Sequence, residues 1–248
     1  MTGRREASGR RAAIGRRPEA PIERSVTPLI RACALGARIF TRAFTRLRIE
    51  GDLDAIPRNG PVIIASNHAS NLDPLVLGGW LVPVVGRRIH WLGKKELFGW
   101  PVVGWLARHG GVHPVDRGGA DVEAFRLAQR ILDEGNILVV YPEGTRSRNG
   151  VLGDARDGVT LLALRTGAPI VPVGIAGSHR VWPRGRKIPK PGGRVVLRIG
   201  APLLLERALP PGTDRRAAKS LATALLMERI AELLPLDQRG PFGAGEGA

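Results

Sequence analysis

Residues 61–77 read PVIIASNHASNLDPLVL and predict three structural pieces in a row. The apolar run 61–66 is typical of a short buried strand. Pro74 disfavours helical geometry at Asp73, so the polar residues in front of it are expected to form a turn. An aspartate followed by a proline is typical of a helix N-cap and first turn, and apolar residues continue the helix. A strand, a turn and a helix in succession favour an α/β fold.

The rest of the chain continues this alternation. Three segments have helical patterns, 121–135, 158–167 and 213–235, and Thr213 is expected to cap the last of them. Residues 136–144 are expected to form a strand and a turn, and the apolar run 168–177 a further strand. Residues 194–200 alternate in a way that is typical of a strand. We therefore expect one α/β domain over residues 25–235, in which helices flank a mixed sheet. Residues 50–205 are expected to form the α/β core of this domain.

The N-terminal part predicts a basic tail and an amphipathic helix. Residues 1–24 are rich in Arg, Ala and Gly, and we expect disorder there and flexibility in 236–248. On a helical wheel, residues 25–48 separate an arginine stripe from an apolar face: Arg31, Arg38, Arg42 and Arg46 against Leu29, Cys33, Phe40, Phe44 and Leu47. This apolar face either enters a membrane interface or packs on the domain core.

The composition restricts the partners of the protein. A formal net charge of +16 favours polyanions, either nucleic acid or an anionic membrane surface. Aromatic residues make up only 4% of the chain, and no nucleic-acid-binding motif is recognisable, so we expect no nucleic acid as partner. The sequence contains no apolar run long enough for a transmembrane helix and no secretory signal. We expect peripheral or monotopic attachment to the cytoplasmic face of the cell membrane.

His68 and Asp73 are the first candidates for chemistry. In a turn, the carboxylate can fold back onto the imidazole, fix its tautomer and stabilise its protonated form. The alternative is that Asp73 only caps its helix and His68 fills a loop. Three further polar clusters follow apolar segments, where ligands bind in open α/β sheets, namely 111–119, 141–150 and 170–178.

These clusters resemble the sequence blocks of a known family. NHASNLD (67–73) resembles the NHxxxxD block of the glycerolipid acyltransferases, whose best-known members are the 1-acylglycerol-3-phosphate acyltransferases. VHPVDRG (112–118) is similar to the second block, YPEGTRS (141–147) to the FPEGTRS block, and IVPVGI (170–175) to the fourth. The order and spacing agree over about 50–205, and YPEGTRS is the most specific element.

The resemblance implies transfer of a fatty acyl group from acyl-CoA or acyl carrier protein to the hydroxyl of a lysophospholipid. The implied acceptor is 1-acylglycerol-3-phosphate, which would give phosphatidic acid, and no cofactor or metal is implied. His68 would act as the general base and Asp73 would orient it. The residues implied in substrate binding are Asn67, Asp116, Arg117, Glu143, Gly144, Thr145, Arg146 and Arg156.

Within that set, Arg117 and Arg146 are the expected ligands of an acceptor phosphate, and Glu143 would hold an arginine or the acceptor hydroxyl. Backbone N–H groups of Gly144 or of the 67–71 turn are alternative donors to the thioester oxyanion. A run of cations, Arg184, Arg186, Lys187 and Lys190, is typical of a solvated loop, and a contact with a CoA phosphate is a secondary hypothesis.

Two departures from the family pattern leave the acceptor open. His113 stands where the second block commonly has an aromatic residue, and residues 155–158 read ARDG in place of a Phe-Lys-Pro-Gly-like stretch. Another lyso-lipid, such as lyso-ornithine lipid, is therefore an alternative acceptor. His109 and His113 have a spacing seen in zinc sites, but the glycines at 110 and 111 break the helix that would align them, so we expect no metal.

Overall fold

The computed structural model describes residues 20–115 and 121–243. Within these ranges, the strands are β1 (Thr45–Gly51), β2 (Val62–Ser66), β3 (Ile89–Lys94), β4 (Val112–Val115), β5 (Ile137–Val140), β6 (Ile170–Ala176) and β7 (Gly193–Ile199). The helices are α1 (Pro28–Phe44), α2 (Asp73–Val85), α3 (Pro101–His109), α4 (Asp121–Asp133), α5 (Gly158–Thr166), α6 (Ser178–Val181), α7 (Leu205–Ala208) and α8 (Arg215–Glu232).

The strands form one mixed sheet in the order β1-β7-β6-β2-β5-β3-β4. β6 and β7 pair antiparallel, and the other neighbouring strands pair parallel. All residues of β2 and of β6 are buried, as expected for strands covered on both faces. This arrangement confirms the predicted mixed α/β sheet and brings the carboxyl ends of β2 and β5 to the same edge.

Helices cover both faces of the sheet. On one face, α1 packs on α2, and their buried residues join those of the sheet in one hydrophobic cluster. On the other face, α4, α5 and α8 pack together around a second cluster that includes Ile131, Leu162 and Leu226. In the described part of the chain, we find no helix with the length and hydropathy needed to cross a bilayer.

The amphipathic helix differs from its prediction in extent and in packing. α1 ends at Phe44, and the residues that follow pair with β7 as strand β1, where Arg46 and Leu47 alternate between its two faces. Phe40 and Phe44 stack on each other, with ring centroids 4.7 Å apart, and pack against the domain core. Phe40, Phe44 and Leu47 of the predicted apolar face therefore pack on the protein core.

Three boundaries also differ from the sequence prediction. Asp214, rather than Thr213, caps α8, since its carboxylate accepts hydrogen bonds from Arg216 N and Ala217 N. Part of each predicted tail packs on the domain. At the N-terminal side, Ile22 N donates to the Glu134 carboxylate (2.6 Å), and near the C-terminus the buried Gln238 side chain accepts from Gly177 N (3.1 Å). Residues 1–19 and 244–248 lie outside the described residues.

Candidate active site

His68 and Asp73 meet in the turn between β2 and α2. The Nδ1 atom of His68 lies 2.8 Å from Oδ2 of Asp73, which also accepts hydrogen bonds from Ala69 N and Ser70 N, each at 2.8 Å. The Asp73 side chain is fully buried, whereas 16% of the His68 side chain is exposed. Asp73 is the first residue of α2 in the structure, so its carboxylate organises the preceding turn rather than capping the helix from outside.

This geometry determines which nitrogen of His68 is available. A carboxylate accepts hydrogen bonds, so we assign the proton of the neutral imidazole to Nδ1, which donates to Asp73. The lone pair of Nε2 is then directed away from Asp73 and can accept a proton. If it does, the Asp73 carboxylate stabilises the resulting imidazolium. The turn therefore has the parts of a general base and its orienting acid.

The loop after β5 holds the backbone of His68 from the other side. Glu143 Oε1 accepts from His68 N (2.8 Å), and Ser147 N donates to the carbonyl oxygen of His68 (2.7 Å). The second oxygen of Glu143 accepts from Gly153 N (3.1 Å). Burial raises the pKa of the Glu143 carboxyl, and the N–H donors of His68 and Gly153 oppose this shift. In this structure, Glu143 positions the His68–Asp73 turn.

Tyr141 lies against the face of the imidazole. The ring centroids of His68 and Tyr141 are 3.9 Å apart, and the ring planes are inclined by 14°. The Tyr141 hydroxyl is buried and has no hydrogen-bond partner among the described residues. Burial, and then the charge of Asp73, raises the pKa of Tyr141 well above its ordinary value, so the phenol stays neutral. Sequence reasoning missed this contact, because only the fold brings the ends of β2 and β5 together.

Asn67 anchors the start of the turn to the neighbouring strand. Its side-chain Nδ2 donates to Ile175 O (3.1 Å), and its Oδ1 accepts from Ile175 N (2.8 Å). The side chain thus continues the β2–β6 pairing beyond the last strand residue, and it is almost fully buried. Asn67 was predicted to bind substrate, but in this structure it has a positioning role.

Arg146 reaches the same turn. Its Nη1 donates to the side-chain oxygen of Asn71, which lies between His68 and Asp73 in the sequence. Arg156 lies against Gly144, where a β-carbon would come within 3.0 Å of its Nε atom. Thr145 is exposed beside them, and it lines a cavity together with Arg146. The structure therefore groups the candidates from the YPEGTRS segment around the His68 turn.

Comparison with known proteins gives this arrangement a family. The family model described as acyltransferase matches residues 47–176, which is more than half of the chain. The chain belongs to the acyltransferase family. The matched range contains the His68–Asp73 turn and the Glu143 loop, so the family assignment and the geometry concern the same residues.

Individual acyltransferases are similar over much of the chain. The 1-acyl-sn-glycerol-3-phosphate acyltransferase of Bacillus subtilis is 31% identical over 72% of this chain and 83% of its own length. The chloroplastic enzyme of the same name from Arabidopsis thaliana is 31% identical over 61% of this chain. The chain spans only 42% of the length of that plant relative.

A solved structure agrees with the fold. The crystal structure of the 1-acyl-sn-glycerophosphate acyltransferase from Thermotoga maritima superimposes with a TM-score of 0.67 and 27% sequence identity. The match covers 82% of this chain and 79% of the Thermotoga chain. The mixed sheet with helices on both faces is therefore a family architecture.

Two predicted substrate ligands of this acyltransferase, Asp116 and Arg117, lie outside the described residues. His113, just before them, belongs to the edge strand β4, and β5 and β3 separate it from β2. Its Nε2 atom lies 3.0 Å from Nδ1 of His90. His113 is thus paired with another histidine near the sheet edge.

The predicted oxyanion donors are already used within the acyltransferase fold. The amides of His68, Ala69 and Ser70 donate to carboxylates, and the amide of Asn71 donates to Trp182 O (3.0 Å). Gly144 N donates to Tyr141 O (2.9 Å). In this conformation, an oxyanion at either place would have to replace a protein acceptor.

The two histidines with zinc-like spacing have other partners. His109 Nδ1 lies 2.8 Å from Trp105 O, to which its N–H donates, while His113 pairs with His90. Across residues 20–115 and 121–243, no three His, Cys, Asp or Glu side chains are grouped so that they could hold a metal ion.

Proposed function

We propose that this chain transfers a fatty acyl group from a thioester, acyl-CoA or acyl carrier protein, to the free hydroxyl of 1-acylglycerol-3-phosphate. The observation that carries the proposal is the His68 Nδ1–Asp73 Oδ2 contact of 2.8 Å, with the imidazole partly exposed at the end of β2. The names of the Bacillus and Thermotoga relatives support the acceptor. Phosphatidic acid is the expected product.

The reaction needs one base. An alcohol is too weak an acid to attack a thioester at neutral pH, so His68 Nε2 takes the hydroxyl proton as the oxygen bonds to the carbonyl carbon. Collapse of the tetrahedral intermediate breaks the C–S bond, and the imidazolium returns the proton to the departing thiolate. Asp73 holds the imidazole throughout. Cys33, the single cysteine, lies in α1, and no Ser-His-Asp order is evident, so we favour direct transfer without a covalent acyl-enzyme.

Arg146 is the described residue best placed for the acceptor phosphate. In this acceptor, the phosphate is attached to the carbon next to the one that carries the free hydroxyl. A hydroxyl at His68 therefore places the phosphate close to the turn, and Arg146 already contacts Asn71 there. An arginine provides a planar set of donors suited to phosphate oxygens.

The test is an acceptor panel with the purified full chain. A labelled acyl-CoA is offered with 1-acylglycerol-3-phosphate, with 1-acylglycerol, which lacks the phosphate, with lyso-ornithine lipid and with other lysophospholipids. We expect the highest kcat/KM for 1-acylglycerol-3-phosphate. A higher value for another lyso-lipid would reject the acceptor while keeping the acyl transfer, and no transfer to any acceptor would reject the function.

We also propose that the enzyme works at a membrane surface, through the outer sides of α1 and α3. These helices are in contact, and together with Trp100, the residue before α3, they expose large apolar side chains: Leu35 (59%), Ile39 (61%), Trp100 (62%), Val103 (38%), Trp105 (47%) and Leu106 (38%). Tryptophan is favoured at membrane interfaces because its ring has an apolar body and a polar N–H. We call this set the α1–α3 patch.

Basic residues border the patch. Arg31, Arg42 and Arg108 are exposed on the same two helices, where they are available to lipid phosphates. Changing Trp100 and Trp105 together to serine should weaken sedimentation with anionic vesicles. Leu221→Ser, which alters an exposed residue of α8 on the opposite face, is the matched control. Equal sedimentation of the wild type and the double variant would reject the patch as the membrane contact.

A further inference from the structure

A cavity of about 400 Å³ adjoins the catalytic turn. It is lined mainly by the loop after β5, and Arg184 completes it from the segment after α6. Neither His68 nor Asp73 lines the cavity. Glu143 connects the two regions, because one carboxylate oxygen accepts from His68 N and the other from Gly153 N in the cavity wall. A ligand in the cavity is thus next to the reaction centre without occupying it.

The charges of the cavity wall favour an anion. Three arginines line it, Arg146, Arg148 and Arg184, against two carboxylates, Glu143 and Asp154. Both oxygens of Glu143 are already bound to backbone N–H groups. Hydroxyl and amide side chains of Thr145, Ser147 and Asn149 complete the polar lining. This combination of guanidinium groups and short polar side chains is typical of phosphate sites.

Two of the three arginines are not used by the fold. Arg148 and Arg184 are exposed, and neither has a side-chain hydrogen bond or ion pair among the described residues. Arg146, by contrast, donates to Asn71 in the catalytic turn. The cavity wall therefore contains one arginine that contacts the turn, Arg146, and two that do not, Arg148 and Arg184.

The two substrates differ in how far their phosphates lie from the reacting atoms. In the acceptor, phosphate and hydroxyl are on neighbouring carbons, so its phosphate has to lie near His68 and Arg146. In a coenzyme A thioester, the whole pantetheine arm separates the sulfur from the diphosphate and the 3′-phosphate. Arg148 and Arg184 line the cavity without a hydrogen bond to the turn, so a phosphate bound by them is offset from the reacting atoms, as the phosphates of the donor have to be.

We propose that Arg148 and Arg184 bind the phosphates of a coenzyme A thioester, with the cavity between them and Glu143 as the path of the pantetheine arm. This inference rests on the proposed acyl transfer and specifies its donor. Of the four cations in the segment 184–190, Arg184 alone lines the cavity. Lys187 belongs to the same segment and is exposed outside the cavity, which makes it a matched control.

The first experiment measures binding without turnover. Free coenzyme A is titrated into the full chain by calorimetry, with Arg148→Ala, Arg184→Ala, the double variant and Lys187→Ala in parallel. Loss of a charge-assisted phosphate contact should raise Kd about tenfold for each single variant and more for the double, with Lys187→Ala near wild type. Wild-type protein that does not bind coenzyme A, or variants that bind like wild type, would overturn the proposal.

The second experiment separates the donor from the acceptor. Kinetics are compared for acyl-CoA and for an acyl-pantetheine of the same chain length, which has no phosphate. The double variant should raise KM for acyl-CoA about tenfold or more, while KM for acyl-pantetheine and for the lyso-lipid stays within about twofold. A rise in the acceptor KM instead, or an equal loss with both donors, would overturn the assignment. If the wild type transferred no acyl group at all, the proposed function would fail, and the calorimetry would still decide the cavity.

Discussion

Two side-chain pairs that contain histidine lie on the same sheet, His68–Asp73 and His90–His113. They differ in the group that the histidine contacts. His68 pairs with a buried carboxylate at the carboxyl end of β2, and its side chain remains 16% exposed. His90 is 1% exposed near the start of β3, and it pairs with His113 at 3.0 Å, an uncharged partner. A proton on His68 is stabilised by Asp73, whereas a proton on His90 has no such compensation from His113.

The electrostatic surroundings of the second pair reinforce the contrast. Burial, followed by His113 and Arg88, lowers the pKa of His90 to about 4. Burial, Arg88 and Arg130 also lower the pKa of His113. These histidines therefore stay neutral near pH 7 and serve packing and hydrogen bonding. The partner of a histidine, more than its position near a strand end, determines whether it can cycle a proton.

Replacing each histidine tests the contrast most strongly. His68→Ala should lower kcat by about 10²- to 10⁴-fold, because it removes the proton acceptor of the reaction. His113→Phe, which introduces the aromatic residue common at this place in the family, should leave kcat within a few-fold of wild type. Circular dichroism and thermal unfolding check that both variants fold. A folded His68→Ala enzyme with near-normal turnover would remove His68 from the mechanism.

The next largest effect is expected for the orienting carboxylate. In the wild type, Oδ2 of Asp73 accepts from three donors, the imidazole of His68 and the backbone amides of Ala69 and Ser70. Asp73→Asn keeps the size of the side chain but removes the charge that supports an imidazolium. Activity should fall by about 10²-fold or more, but less than in His68→Ala, because the base itself is still present. Unchanged activity with an unchanged pH profile would reduce Asp73 to a structural residue of the turn.

Sequence reasoning found the parts of the site that are local in the chain. His68, Asp73 and Glu143 follow apolar strands, and their proximity follows from the parallel order of those strands. The His68–Tyr141 stacking and the bridge from Asn67 to Ile175 were missed, since they depend on which strands are neighbours. The pairing of His90 with His113 was missed for the same reason, and β3 and β4 themselves were not predicted.

The N-terminal helix shows a second limit of sequence reasoning. Its wheel predicts an apolar face opposite an arginine stripe, but the pattern alone does not tell whether lipid or protein covers each face. In the structure, Phe40 and Phe44 pack on the domain core, and Arg38 and Arg42 of the predicted stripe lie over the ring of Trp80 at 4.6 and 4.8 Å. Leu35 and Ile39 are exposed on the same helix. The predicted helix also extended too far at its C-terminal end, because the sequence TRLRIEG (45–51) is compatible with a strand as well as with a helix.

The His90 pair predicts how stability depends on pH. The unfolded chain binds a proton on His90 near the ordinary pKa of 6.5, whereas the folded protein resists protonation down to a pKa of about 4. Because the unfolded state binds more protons in this window, the contribution of His90 to stability is fully present above pH 6.5 and is lost as the pH drops toward 4. Between pH 7 and pH 5 the loss from His90 should be on the order of 2 kcal/mol.

Urea unfolding at the two pH values measures this loss. His90→Gln removes the titrating group, so the difference between the free energies of unfolding at pH 7 and pH 5 should shrink, whatever the stability of the variant at pH 7. Arg88, Arg130 and His113 remain around the site in the variant. An unchanged difference in the variant would show that His90 does not control the acid sensitivity of the fold.

The smallest expected effect concerns Tyr141, whose ring stacks on the imidazole of His68. Tyr141 stacks on the imidazole at 3.9 Å, whereas the rings of His90 and His113 are tilted and 5.2 Å apart. A stacked aromatic face holds the plane of His68 and attracts an imidazolium, with contributions of about 0.5–1.5 kcal/mol. Tyr141→Leu should therefore lower kcat about 2- to 10-fold, because the imidazole loses this contact. Tyr141→Phe keeps the ring and removes a hydroxyl that has no hydrogen-bond partner within residues 20–115 and 121–243, so its rate should match wild type. If Tyr141→Phe lost as much activity as Tyr141→Leu, the hydroxyl rather than the ring would be the functional group, and the difference between the two histidine pairs would rest on Asp73 alone.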